Sequence, residues 1–225
     1  MARISSRDVH SQNPTKYRHG MILNHQEPNE DLRASLVQIL PDLYCILHQA
    51  RESADHAVPL ATDPAFESDR RGAVGTLTRF MALNGFVSRF GSEVGSSNKR
   101  GLSLVHHVRL GIGFRVGTHQ EDGRIANEDR KDRSETSPTH HFLMGEDMFG
   151  DPGVTRLCVG VIPDPVDMSD CRPVVAQYEE GEFCWAREIR MPAFHGWHDA
   201  ADSLDRGEQL EAVLAPLKTT PRLFG

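Results

Sequence analysis

The feature that most constrains this chain is a switch in the spacing of its apolar residues near position 100. Ahead of the switch, Leu32, Leu36, Ile39, Leu40, Leu43, Leu47 and Ala50 recur every three or four positions, as on a helix that buries one side. Behind it, apolar and polar residues alternate, as on strands. Helices first and strands afterwards predict an α+β fold. N-terminal helices pack on one face of an antiparallel sheet of about four or five strands, and a C-terminal helix closes it.

Local signals place the elements. Asn29 can cap the first helix, with Glu30 and Asp31 favourably in its first turn. Pro41 interrupts the stripe, which predicts a kink or two short helices meeting there. A second helix is expected from Glu67, with Ala73, Leu77, Phe80, Met81 and Leu83 facing inward and a stop at Asn84-Gly85. Phe86, Val87, Phe90 and Val94 then continue as a short extra helix, and residues 95–101 read as a flexible connector.

Residues 103–119, SLVHHVRLGIGFRVGTH, read as one long strand. His140 to Met144, Thr155 to Ile162, and a hairpin of Val174 to Tyr178 with Phe183 to Met191 supply the others. A last helix is expected around Glu208 to Leu217. The chain thus divides into an extended arm, 1–28, and a single domain, 29–225. Within the domain, 29–94 are the helical layer, 103–191 the sheet with a mobile insertion at 120–139, and 193–225 a helical tail.

Composition narrows the function. A formal charge of −7 speaks against a whole-protein grip on nucleic acid, but leaves room for local basic patches. No apolar run approaches the roughly 18–20 residues of a membrane span, and the basic N-terminus lacks the apolar centre of a secretory signal. A soluble protein of the cytoplasm, or of another intracellular compartment, is expected. The four cysteines include no CxxC pair, so they are expected as reduced thiols packed as small hydrophobes.

On an unbroken strand 103–119, the even positions are almost wholly apolar and would face the core. His106 would then be buried, and His107, Arg109, Arg115 and His119 would share a basic face with glycines between them. Arginine's planar fork suits phosphate or carboxylate, and Lys99 and Arg100 precede the strand. These five basic residues, His107, Arg109, Arg115, Lys99 and Arg100, are the candidate anion-binding set.

A second candidate lies at the strand's far end. If 103–119 pairs with 140–149, one of His140 and His141 must share the face of His119, because neighbours on a strand point opposite ways. Such a pair could act as general acid and base on a phosphodiester. It could also bind a divalent metal through His119, His141, Glu146 and Asp147. His195, His198 and Asp199 form a third polar group, expected as a turn in the tail.

No complete catalytic motif is present: neither GxSxG, nor a Rossmann glycine fingerprint, nor a P-loop, nor HExxH. The expected function is a non-catalytic binding or assembly protein, a subunit of a larger complex such as a virion-like one. Its partners would be other protein chains or copies of itself, with an anionic ligand or nucleic acid on the basic face, and no membrane. No cofactor is expected. The alternative is a histidine-based phosphodiesterase or nuclease using His119, His140 and His141, with or without a divalent metal.

Overall fold

The computed structural model describes residues 27–59, 66–99, 102–126, 142, 153–164 and 171–217. Helix α1 (Glu30–Val37) starts as expected, the Asn29 side chain accepting from the Leu32 amide at 2.8 Å. Helix α2 (Leu40–Ala57) follows at once, with Pro41 in its first turn, where a missing amide hydrogen costs nothing. Pro41 therefore starts a helix, and two helices meet there.

Helix α3 (Glu67–Phe90) runs without a stop at Asn84-Gly85. A Cβ on Gly85 would stand 2.9 Å from Ile46 of α2, so this glycine lets two helices approach closely instead of ending one. The buried residues of α3 are Arg70, Val74, Thr78, Ala82 and Phe86, a stripe four residues apart. The expected inward set is corrected in part: Met81 and Leu83 are half-buried against the core and Leu77 is half-buried, but Ala73 is exposed and Phe80 is 61% exposed.

Seven strands form one sheet in chain order: β1 (Val94–Lys99), β2 (Leu102–His107), β3 (Ile112–Thr118), β4 (Thr155–Pro163), β5 (Cys171–Glu179), β6 (Glu182–Arg190) and β7 (Val213–Ala215). The sheet is larger than expected, and it is mixed: β3 and β4 are parallel and the other neighbours antiparallel. The expected connector is in part an edge strand, β1, whose pairing with β2 outweighs the poor strand propensity of its serines and asparagine. The expected last helix is instead β7 beside β6, after helix α4 (Trp197–Asp205). Pro216 explains this, since it turns the preceding residue away from helical geometry.

The long strand 103–119 is a hairpin. The Gly111 amide bonds back to the Val108 carbonyl at 3.3 Å, and Gly111 adopts φ +61°, which only glycine takes cheaply. Across this turn, paired residues have opposite parity: Leu104 faces Arg115, and Val105 faces Phe114. The even positions of β3 and the odd positions of β2 therefore share the helical side. His107 is 0% exposed there, while His106 lies on the other face of the sheet, half-buried. The assignments of His106 and His107 made from a single strand are reversed.

Both faces of the sheet are covered. The helices pack over Val105, Phe114, Val116, Leu157, Val159, Val175 and Trp185. On the other side Ile125 and Phe142 lie with Leu104, Cys158, Ile162, Val174 and Tyr178. Burial on both faces accounts for the almost unbroken apolar run of β4. The start of the expected insertion, 120–126, folds back against the sheet: His119 bridges Ile125, and the Ile125 amide donates to the Tyr178 hydroxyl at 3.1 Å. Residues 127–139 lie outside the described residues, as do 1–26 of the expected arm. Of the expected strand at His140 to Met144, only Phe142 is described, and its backbone is helical.

The four cysteines are free thiols, three of them buried. Among the described residues, no helix is long and apolar enough to cross a membrane.

Candidate anion-binding cleft

Helices α2 and α3 run back to back, so the end of one lies beside the start of the other. Arg70 fixes that junction: its guanidinium donates to Asp55 at 2.8 Å and to the Pro59 carbonyl at 3.2 Å. Arg70 is buried and Asp55 half-buried, so losing Asp55 would leave a buried guanidinium without its carboxylate. Below the junction lie the carboxyl ends of β3 and β4, which leave the sheet on the same side because the two strands are parallel. Between helices and strand ends is a cleft of about 540 Å³.

Three elements aim arginines into it: Arg51 from α2, Arg71 and Arg79 from α3, and Arg115 from β3. The single acid on its walls, among the described residues, is Asp164 just past β4. On α3 the lining residues are Ser68, Arg71, Gly72, Gly75, Thr76 and Arg79, spaced so that they share one side of the helix. The positive end of the α3 dipole adds to the field, against Glu67 and Asp69 in the first turn.

The arginines differ in depth. Arg51 is 2% exposed. Burial draws its pKa below the ordinary value, and the proximity of Cys171 and Asp55 opposes that pull. A guanidinium has so much margin that it keeps its charge there. Arg115 runs over Gly117: Nη1 is 3.8 Å from where a Cβ on that glycine would stand. Arg71 is at the rim, bonded to Glu67 at 3.1 Å. Arg79 is exposed and makes no ion pair among the described residues.

The floor depends on a close approach of two backbones. Gly117 and Gly160 are partners across the β3–β4 ladder, and a Cβ on Gly160 would lie 1.7 Å from the Gly117 carbonyl oxygen. The ring of His119 covers the same glycine, with Cδ2 3.0 Å from that Cβ position.

Of the residues expected to bind an anion, Arg115 alone among the described residues lines the cleft. His107 is under the helices, edge-on to Phe90 with centroids 5.2 Å apart, and burial lowers its pKa. Arg109 is exposed in the turn, 3.3 Å from the Glu93 carboxylate. Lys99 ends the edge strand β1, and Arg100 lies outside the described residues. The expected common face of His107, Arg109, Arg115 and His119 is not formed, because the turn at Val108–Gly111 separates its members.

His119 is 2% exposed. Its Nδ1 is 2.7 Å from the Gly123 carbonyl and donates to it in the neutral ring. Burial pushes its pKa down to about 4; the Gly123 and Val159 carbonyls oppose the shift and Arg115 reinforces it. His140, His141, Glu146 and Asp147 lie outside the described residues. Among the described residues, no group of three or more His, Cys, Asp or Glu is placed to hold a metal ion.

A second polar cluster joins α2, β5 and α4. Cys171 Sγ and His48 Nδ1 are 3.4 Å apart, and His198 meets Glu52 at 3.3 Å. Burial, reinforced by the charge of His198, pushes the His48 pKa down to about 4. In the expected tail turn Asp199 sits in the first turn of α4 without capping it.

The residues missed at the cleft, Arg51, Arg71, Gly72, Gly75 and Arg79, did leave a trace. Serine, arginine, glycine and threonine recur at helical spacing from Ser68 to Arg79, a stripe invisible to a search for apolar periodicity alone. No known protein family, curated protein or solved structure matches this chain.

Proposed function

We propose that this chain is a non-catalytic binding protein whose cleft holds a small anion. One observation carries the reading: four arginines from three separate elements meet in one cleft whose walls, among the described residues, carry a single acid. Glu67 and Asp55 balance part of this charge, and an anion in the cleft would take charge-assisted hydrogen bonds from planar donors, Arg79 first among them. A cleft of about 540 Å³ is the size of a small-molecule site. The partially exposed Arg71 and Arg79 would meet the ligand first, and Arg51 and Arg115 would hold it deeper.

The test is thermal unfolding of the full chain with polyanions at low salt. A ligand at 100 times its Kd adds about 2.7 kcal/mol of stability. Arg79→Glu, which breaks no ion pair among the described residues, should leave the unliganded melting temperature in place and remove most of the ligand-induced rise. No rise with any phosphate or carboxylate, or an equal rise in Arg79→Glu, would refute the reading.

A second reading, assembly, has its own support. The outer side of α3 exposes Phe80 and Val87, with Phe66 exposed just before the helix. Apolar residues in such a row are a common mark of a protein interface. Sedimentation of the purified chain and of Phe80→Glu tests it, and a monomer in both cases removes it. The histidine phosphodiesterase reading has less support, because His119 is buried and bonded to a backbone carbonyl.

A further inference from the structure

Cys171 opens β5, and its cross-strand partner is Pro163, which lines the cleft at the end of β4. Helix α2 packs on β5 and brings His48 and Arg51 to this place, three residues apart and so on one side of the helix. His48 Nδ1 is 3.4 Å from the Cys171 sulfur, within hydrogen-bonding reach. Arg51 is buried, and negative charge on Cys171 would support its proton, so the two groups lie close enough to interact as charges. The thiol therefore has a proton acceptor and a fixed positive charge for neighbours, the surroundings that make a cysteine nucleophilic.

The acceptor is held in place. The His48 ring is 4.5 Å from that of Tyr44, one turn earlier on α2, and stacks at 6.5 Å on Trp197 at the start of α4. Burial and the charge of His198 keep His48 neutral at ordinary pH, so in the tautomer protonated on Nε2 its Nδ1 accepts the thiol hydrogen. A thiol in reach of a base that other groups orient is an activated nucleophile. Cys45 and Cys184 have opposite surroundings. Burial raises both their pKa values, and nearby carboxylates raise them further: Asp42 for Cys45, Glu179 and Glu182 for Cys184.

Cys171 is only 3% exposed, which restricts its reactants to molecules not much larger than water. We propose that Cys171 is a modification site for hydrogen peroxide, with His48 as its general base and Arg51 as the charge that supports the thiolate. His48 takes the thiol proton as sulfur attacks one peroxide oxygen. The S–O bond forms, the O–O bond breaks, and the departing hydroxide recovers that proton and leaves as water. Sulfur is oxidised to a sulfenic acid and the peroxide is reduced to water. Arg51 is common to this cluster and the cleft, but the chemistry needs no anion bound there.

Peroxide treatment of the reduced full chain in the presence of dimedone, which traps sulfenic acids, followed by peptide mass spectrometry, tests the proposal. Cys171 should be labelled about tenfold or more faster than Cys45, although Cys45 is the more exposed at 8%. His48→Gln should slow labelling of Cys171 about tenfold or more and leave the rate at Cys45 unchanged. Glutathione disulfide, too large to enter, should leave Cys171 unmodified. Equal labelling of Cys171 and Cys45, an unchanged rate at Cys171 in His48→Gln, or a mixed disulfide of Cys171 with glutathione would overturn the proposal. The comparison of the two thiols needs no variant, so it decides the matter even where His48→Gln does not fold.

Discussion

A methyl group on residue 160 would lie 1.7 Å from the Gly117 carbonyl oxygen, far inside contact distance. The clash is with backbone in a paired strand, where no side-chain rotation can relieve it. Gly160→Ala should therefore cost about 3 kcal/mol, read as a fall in the urea midpoint at an unchanged m-value. A loss below about 1 kcal/mol would show that β3 and β4 part easily. Residue by residue, the sequence misled most where a turn was hidden. Val108 and Leu110 are apolar and keep the alternation running through the hairpin, so the parity change that buries His107 in place of His106 left no mark in composition. The only local sign was Gly111, one glycine among several in that stretch.

Among the elements, α3 combines the most roles. Arg70, Val74, Thr78, Ala82 and Phe86 face the core, a basic and glycine-rich side faces the cleft, and Phe80 and Val87 face outward. Two apolar rows compete in its sequence, and the row with more large residues is only half-buried, through Leu77, Met81 and Leu83. Neighbouring helix and strands decide between them, through contacts that periodicity cannot see. The assignment has a direct check in chemical denaturation. Phe86→Ala should cost about 3–5 kcal/mol, since its ring is 0% exposed and stacks on Phe114 at 5.5 Å. Phe80→Ala should change stability by no more than about 0.5 kcal/mol. Equal losses would mean that the outward side of α3 is covered in solution.

For the whole molecule, two buried histidines, His107 and His119, and the half-buried His48 shape the response to acid. His48 and His119 have pKa values pushed down to about 4, and that of His107 is also lowered, each chiefly by burial. Their ordinary value is 6.5. Between about pH 6.5 and pH 4 the unfolded chain takes up protons that the folded chain refuses, so stability falls as the pH falls through that window. His119 alone accounts for a loss on the order of 3 kcal/mol. Urea midpoints measured across this window should drop steadily, and His119→Asn, whose amide can still reach the Gly123 carbonyl, should flatten the drop by about one proton's share. A midpoint insensitive to pH there would show that these rings protonate in the folded state.

The order of helices and strands was legible in the sequence because each has its own period. The number of strands and their directions were not. Pairing of polar segments such as β1 and β7 depends on distant partners, and a parallel neighbour depends on how the chain returns between Thr118 and Thr155.

That one return has a mechanical consequence. It splits the sheet into two stretches, β1 to β3 and β4 to β7, each continuous in the chain and joined along a single parallel seam. The cleft straddles the seam, with Arg115 on the first stretch and Asp164 just past β4 on the second. A ligand seated there would act as a rivet across the joint, and its departure would loosen the hold of one half of the chain on the other.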